Sequence, residues 1–506
     1  MSYKTGFYEG RLGIGLDSTM GMGDGNPRYP LDINGDIRLT GSIINGDGQV
    51  LSLTPPEFDP AGLDADNSLL YNFEKGGTNT GHSNICLGKW AGTNLTSGSL
   101  NICLGNLAGQ GITTGNRNIA LGDYALTASG VYSGNIMLGE MAGRYINNAN
   151  NIGIGYKAIY YNSGTYNIAL GYGALEGTSD NTSSSQNIAI GYYALRARTT
   201  ASNNVAVGRQ CGEDITTGTM NVLIGYQAGV NLTNSGENVF IGSYSGSKLT
   251  TGGYHNVGLG YGACGGNGAT ATNIQNNVCI GQSAGGNLTT GYSNVFLGQY
   301  AGLQGTTGAH NIAIGKEAGR YKTNKSGYIA IGQEALYSTS GGAQSIAIGY
   351  QALKSDVGWN HYDNVAIGYQ SMRVVTSGVG NTCLGYVAGQ NISSGWYNVL
   401  LGKKAGEDIN TGYRNICIGM SAGNTLTTTH DSVYIGTEAG QYCDQQNIAI
   451  GYQSLRYRCS NYNIAIGYQA MVGTEHTGRA QNVCIGYQTL NPATSASWNV
   501  AVGHQA

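Results

Sequence analysis

Hydrophobic residues in this chain recur in a short phrase: apolar, any residue, apolar, glycine, usually introduced by asparagine. Asn84-Ile85-Cys86-Leu87-Gly88 returns seventeen positions on as Asn101-Ile102-Cys103-Leu104-Gly105. The phrase closes on glycine 25 times between Gly88 and Gly503; 15 of the 24 intervals are seventeen residues and the rest lie between 15 and 21. Inside the phrase the residues alternate as in an extended strand, Val222 and Ile224 to one side and Leu223 to the other. The flanking pair is large throughout apart from Thr382, and the middle residue is Ala, Cys or Gly in most copies. The pattern predicts that the flanking aliphatics, among them Ile85, Leu87, Ile102, Leu104, Ile188, Ile190, Val222, Ile224, Ile312, Ile314, Ile448, Ile450, Ile464 and Ile466, fill a shared structural core. The small middle row is then expected to approach a neighbour closely.

Three residues past each glycine stands another small residue, followed by Gly or a large aliphatic. Many copies add one more apolar residue (Leu95, Ile112, Ile215, Leu232, Leu249, Leu288, Ile392, Ile409) before a Thr/Ser-rich turn. Such a unit cannot bury its apolar side alone, so units must stack. The expected fold is all-β: a parallel β-solenoid or β-roll of about 25 coils with a period near 17 residues. At a strand spacing of about 4.8 Å the coils build a rod roughly 120 Å long. Helix loses, because glycine closes every unit and β-branched residues dominate the apolar positions.

The first part of the chain differs. It holds five of the six prolines: Pro27, Pro30, Pro55, Pro56 and Pro60. Leu31 and Ile33 alternate, Asn34-Gly35 suits a tight turn, and Ile37 and Leu39 alternate again, a hairpin signal. A second turn at Asn45-Gly46-Asp47-Gly48 leads to Val50, Leu51 and Leu53. We place a small β-rich attachment or trimerisation module at 1–55, a linker at 56–80 and the solenoid rod at 81–506.

Composition narrows the function classes. Glycine is 85 of 506 residues, without the Gly-X-Y period of collagen. Charged residues are only 10% and hydrophobic residues 40%, which argues against disorder. A net charge of −3 with no block of like charge gives little support to nucleic-acid binding. The start, MSYKTGFYEGRLGIG, has no apolar signal region, and no run of apolar residues is long enough to span a membrane. Ten cysteines without a C-x-x-C pair predict free thiols in a chain made in the cytosol.

The phrase Asn-Ile-Ala-Ile-Gly, at 187–191, 311–315, 447–451 and 463–467, resembles the repeat of trimeric autotransporter adhesin heads and related repeats of viral and phage tail fibres. The resemblance covers roughly residues 80 to 506, with a period longer than the adhesin one. The stretch GIGLDSTMGMGDGNPRYPLDINGDIRLTGSI is similar to the start of many tail-fibre and spike sequences. The resemblance implies a left-handed parallel β-roll with three chains around one axis. A secreted autotransporter would carry a signal peptide, a coiled-coil stalk and a membrane barrel, which shifts the expectation to a virion fibre made in the host cytoplasm.

Candidate chemistry is sparse. The middle-row cysteines Cys86, Cys103, Cys279, Cys383, Cys417 and Cys484 read as small hydrophobes, with a covalent Cys86–Cys103 ladder as the sharper alternative. Tyrosine follows the closing glycine in eleven units, among them Tyr156, Tyr226, Tyr350, Tyr369, Tyr452 and Tyr468. These tyrosines form either a self-stacking ladder or a surface-binding ladder for sugars. The recurrent asparagine predicts an internal amide ladder. Six Asn-x-Ser/Thr sequons read as by-products of Asn-Leu-Thr turns. Histidines at no metal spacing, carboxylates without a recurring pair, and Ser245 outside any strand–elbow–helix context supply no catalytic residue, cofactor site or metal site.

The expected function is therefore a non-enzymatic fibre or spike subunit of a virion, phage or giant-virus-like, that attaches to a host surface by multivalent contacts. Its expected partners are two further copies of itself, other virion or filament subunits at the N-terminal module and at the uncapped coil near Gly503, and a host glycan or receptor. Neither nucleic acid nor membrane insertion is expected. The alternative is an extracellular or cell-surface adhesin or self-assembling filament.

Overall fold

A computed structural model describes residues 80–506 apart from 129, 163, 179–182, 338–342, 356–360, 458, 474–479 and 492–496, and before residue 80 the backbone of five short strands. Contacts divide the chain into two units, Met1–Asp59 and Pro60–Ala506. In the first, Thr5–Tyr8 pairs antiparallel with Arg11–Ile14, and Ile43–Ile44 with Val50–Leu51 across the turn expected at 45–48. The hairpin expected around Asn34-Gly35 lies outside the described residues.

The second unit is a parallel β-solenoid, and no helix occurs among its described residues. Its backbone is one linear ladder of 26 strands, each contributed by one coil. Register is kept from coil to coil: Ile85 lies beside Ile102, Ile102 beside Ile119, Val205 beside Val222, Val222 beside Val239. The ladder starts at Leu69–Tyr71, which pairs with Ile85–Leu87 and falls within the stretch expected to be linker. It runs to Val500–Val502.

The closing glycines make this stacking possible. Each has φ between 122° and 146°, a backbone state that L side chains rarely adopt. Each also sits on the glycine below it: a Cβ on Gly315 would lie 2.7 Å from the carbonyl carbon of Gly332. The glycine three residues before Leu95 is there for volume as well. A Cβ on Gly92 would lie 2.6 Å from Cys86 Sγ and 3.0 Å from Leu95 Cδ1. Coils that replace this glycine with Leu126, Leu175 or Leu195 hold the leucine at φ 53°, 52° and 49° and carry no Leu or Ile three residues later. In the coils of Leu126 and Leu175 the large side chain is thus supplied from this position instead of the later one.

The structure reverses the expected inside and outside of the strand. The middle residue is the buried one: Cys86, Ala120, Met137, Ala189, Leu223, Phe240, Cys279 and Phe296 are all 0–1% exposed. The residues expected as core, Ile85, Leu87, Ile102, Leu104, Ile188, Ile190, Val222, Ile224, Ile312, Ile314, Ile448, Ile450, Ile464 and Ile466, are intermediate or exposed in the single chain; Ile85 is 39% and Ile190 39% exposed. The reason is the size of the coil. A three-residue strand sends a single side chain inward, to meet an alanine (Ala91, Ala108) and one Leu or Ile from the far side (Leu95, Ile112). Alternation fixes that two faces exist, not which of them faces in.

Candidate interaction surfaces

Three kinds of repeated column follow from the stacking. The first is internal. Asn101 Nδ2 and its backbone N–H both donate to Asn84 Oδ1 at 3.0 Å, and Nδ2 also donates to the Gly115 carbonyl at 2.9 Å. The same set recurs at Asn118, Asn204, Asn221, Asn294 and Asn398, all buried. The asparagines are therefore spent on the fold, as the sequence led us to expect.

The second kind is aromatic. Tyr156, Tyr172 and Tyr192 stack at centroid distances of 4.9 and 5.3 Å; Tyr350, Tyr369 and Tyr386 at 5.3 and 5.1 Å; Tyr452, Tyr468 and Tyr487 at 5.1 and 5.2 Å. Interplanar angles run from 6° to 26°. Of the six tyrosines singled out from sequence, five sit in these stacks; Tyr226 instead meets Tyr244 edge-on at 5.2 Å. A separate stack joins Trp396, Tyr413 and His430 at 4.4 and 4.7 Å. Beside the tyrosines runs a glutamine ladder: Gln370 Nε2 donates to Gln351 Oε1 at 2.8 Å, Gln469 to Gln453 at 2.9 Å, Gln488 to Gln469 at 2.8 Å. Sequence reasoning missed it, although the recurring Gly-Tyr-Gln in the chain carried the signal.

The third kind is the pair of aliphatic rows on the outer face of the strand. Their side chains are intermediate or exposed in the single chain, and none is buried; Leu87 is 38%, Ile224 38% and Leu384 46% exposed. Two such rows run along the whole ladder, interrupted only at Thr382, and form one long apolar face. A soluble monomer normally leaves patches of a few hundred Å².

The cysteines fall into two groups. Cys86 and Cys103 are register partners but remain thiols, like Cys211, Cys264, Cys279, Cys383, Cys417 and Cys484. Burial pushes the Cys211 thiol up to about 12, and a hydrogen bond with Cys86 together with burial raises Cys103, so both stay protonated and unreactive. Cys443 and Cys459 are joined in a disulfide, with Cα atoms 4.8 Å apart, which corrects the expectation that all ten are free. Cys443 occupies the Leu95 position of its coil, where two inward side chains of adjacent coils meet.

Buried cationic side chains are few among the described residues, and two of them stand where Leu or Ile usually does. Arg198 is fully buried; its Nε and Nη1 find no hydrogen-bond partner, and burial lowers its pKa to about 9. Lys322 is buried likewise and lowered to about 7, first by burial and then by Lys325.

Two of the clefts in the surface are the best formed among the described residues. One of about 400 Å³ lies beside the disulfide, lined by Thr425, Thr427, Tyr442, Asp444 and Ser460. The other, about 450 Å³, is lined by Glu176, Arg196, Glu213 and Asp214, and its Arg196 already bridges Glu176 and Glu213 at 3.3 Å each. Among the described residues no group of three or more His, Cys, Asp or Glu could hold a metal ion, and no helix is long and apolar enough to cross a membrane. No protein-family model matches the chain, and no curated protein matches it in sequence.

Proposed function

We propose that the chain is a structural subunit of a virion fibre or spike, non-enzymatic, assembling as a homotrimer and attaching to a host surface through many repeated contacts. The observation that carries this reading is the aliphatic face that runs from Ile85 to Val502, interrupted only by Thr382. An apolar face that runs the length of the ladder exceeds what a soluble monomer normally leaves open, and marks an interface. What covers it must repeat at the same rise, once per coil, over the full ladder. Another copy of this chain meets that requirement without further design, since its own rows have the same spacing. A rod held this way spans distance and presents every surface residue in register, so weak contacts sum as avidity.

The test is the native mass of the purified chain. The expected value is three times 52.6 kDa. Val222→Arg with Ile224→Glu, in the middle of the face, is expected to dissociate it. A wild-type chain that stays at one copy at micromolar concentration refutes the assembly.

One observation also supports the alternative, an extracellular adhesin or self-assembling filament. The Cys443–Cys459 disulfide belongs to oxidising surroundings. A particle surface outside the cell and an extracellular filament both satisfy it. Electron microscopy of native particles separates them: a fibre projecting from a virion supports the first, and head-to-tail filaments free of any particle support the second.

A further inference from the structure

We infer that the strip formed by Tyr452, Tyr468 and Tyr487 with Gln453, Gln469 and Gln488 binds an extended, neutral, β-1,4-linked glycan lying along the rod, one sugar per coil. The inference rests on the attachment role proposed above and names the ligand class for it.

The geometry of the rings decides the mode of binding. Tyr452, Tyr468 and Tyr487 stack almost parallel, with angles of 14° and 6°, and His504 continues the column at 4.8 Å. Their faces are therefore covered by one another. A sugar cannot lie flat on them, which removes the usual aromatic platform. The rings remain 42–43% exposed, so edges and hydroxyls are what they offer to solvent. None of these three hydroxyls makes a hydrogen bond within the described chain.

The glutamines add a second polar row. Gln469 donates to Gln453 at 2.9 Å, Gln488 to Gln469 at 2.8 Å and Gln505 to Gln488 at 3.1 Å. Each such bond uses one amide hydrogen and one lone pair, and leaves one of each to spare. The strip is thus a one-dimensional array of donors and acceptors with a single repeat, the distance between coils. Its Tyr and Gln residues carry no charge; at one end the Gln453 amide donates to Glu438 Oε2 at 2.8 Å, and Arg456 pairs with that carboxylate at 3.1 Å, so this charge is already compensated. A ligand that fits must be neutral, rich in hydroxyls and periodic at that distance. An extended β-1,4-linked glycan advances by roughly one strand spacing per sugar, with successive sugars turned over, so that it meets every coil with a hydroxyl-bearing edge and repeats the same groups at every second coil. A coiled α-1,4-linked glycan falls out of step after one or two units. Each sugar then contributes one or two modest hydrogen bonds, and affinity comes from their number.

The experiment is calorimetric titration of the full chain with β-1,4-linked oligomers of glucose and of N-acetylglucosamine, from dimer to hexamer, with the α-1,4-linked glucose hexamer as control. Affinity for one β-linked series is expected to rise at least tenfold from dimer to tetramer, and the α-linked hexamer to give no heat of binding. Tyr468→Phe keeps the ring stack and deletes one hydroxyl; it is expected to weaken binding about fivefold to tenfold with the melting temperature unchanged. Tyr487→Phe repeats the test one coil on. The inference fails if neither β-linked series binds at millimolar concentration, if the α-linked hexamer binds as well, if affinity is independent of length, or if both Phe variants bind like the wild type. A trimer that binds no glycan overturns this inference alone; a monomer that binds the β-linked tetramer overturns the assembly and leaves the site standing.

Discussion

The coils from Asn204 to Asn311 and those from Asn311 to Asn364 are built on the same backbone but filled differently. In the first stretch the amide ladder passes through every coil, Asn204 to Asn221, Asn238, Asn256, Asn277, Asn294 and Asn311. The interior is apolar, with Leu223, Phe240, Cys279 and Phe296 on the strand and Ile215, Leu232, Leu249 and Leu288 opposite. In the second stretch Tyr328 and Ser345 stand where asparagine is expected, and Lys322 and His361 are buried. Yet Ile312, Ile329, Ile346 and Val365 stay in register, and Gly315, Gly332, Gly349 and Gly368 still stack. Backbone pairing and the glycine column are therefore what each coil cannot do without. The side-chain ladder is a reinforcement that can lapse for two coils.

If that ranking is right, a closing glycine is equally irreplaceable in both stretches. A Cβ on Gly242 would lie 2.7 Å from the Gly260 carbonyl, and one on Gly332 would lie 2.5 Å from the Gly349 oxygen. Valine at either position is expected to cost about 5 kcal/mol or to prevent folding of the coils around it, from clash and strained φ together. Gly503→Ala, whose new Cβ would come no nearer than 3.6 Å to Ala506 Cβ, meets only the φ strain, about 1–2 kcal/mol. Urea unfolding of the three variants ranks them; tolerance at Gly332 but not at Gly242 breaks the comparison.

Acid is expected to act on the second stretch alone. Burial, with Lys322 and Lys325 adding to it, lowers the His361 pKa to about 3. An unfolded histidine binds its proton near pH 6.5, so between that value and about 3 the unfolded chain holds a proton that the folded one refuses. The stability is present above pH 6.5 and is lost as pH falls through this window, by up to about 4 kcal/mol. Lys322 works in the same sense from its ordinary range down to about 7, so its effect is complete before the histidine window opens. Hydrogen exchange, corrected for intrinsic rates, should show coils 311–364 opening at pH 4.5 while coils 204–311 hold. His361→Phe should abolish the difference.

Breaking the ladder where it is continuous comes next in size. Asn256 donates to Asn238 Oδ1 and to the Ile274 carbonyl, and accepts from the backbone and side chain of Asn277 at 3.1 and 3.0 Å. Asn256→Ala leaves buried donors of Asn277 unpaired, at about 2–3 kcal/mol. Ser345→Ala removes one weaker acceptor, the Oγ that takes the Asn364 N–H at 3.2 Å, and is expected to cost about 1 kcal/mol. Thermal unfolding that gives the two variants equal cost would show that ladder continuity adds nothing.

How far the sequence could be read follows from the same physics. The period, the strand and the asparagine ladder were legible because a stacked fold must put the same residue type at each register position. The self-stacking tyrosines were legible for that reason too. The inward face was not: Ile85 and Leu87 are larger than Cys86, and size alone points the wrong way when a coil encloses room for one small side chain and one leucine. The Cys443–Cys459 bond was hidden because Cys443 stands outside the strand phrase, at a position that only the folded coil identifies as inward.

The smallest effect tests whether the ladder is cooperative. Ser345 and Ser432 replace asparagine in different surroundings. Ser432 has ladder members on both sides: its N–H donates to Asn415 Oδ1, and its Oγ accepts from the Asn447 N–H, each at 3.2 Å. Ser345 has Asn364 after it but Tyr328 before it, and a tyrosine offers no amide oxygen to receive the new donor. An asparagine at 432 can therefore join an amide chain in both directions, and one at 345 in a single direction. Ser432→Asn is expected to gain about 1 kcal/mol and Ser345→Asn about half of that, read from the shift in unfolding midpoint. Equal gains would mean that each amide acts alone, and that the interrupted stretch lost no more than its own two bonds when tyrosine and serine entered it.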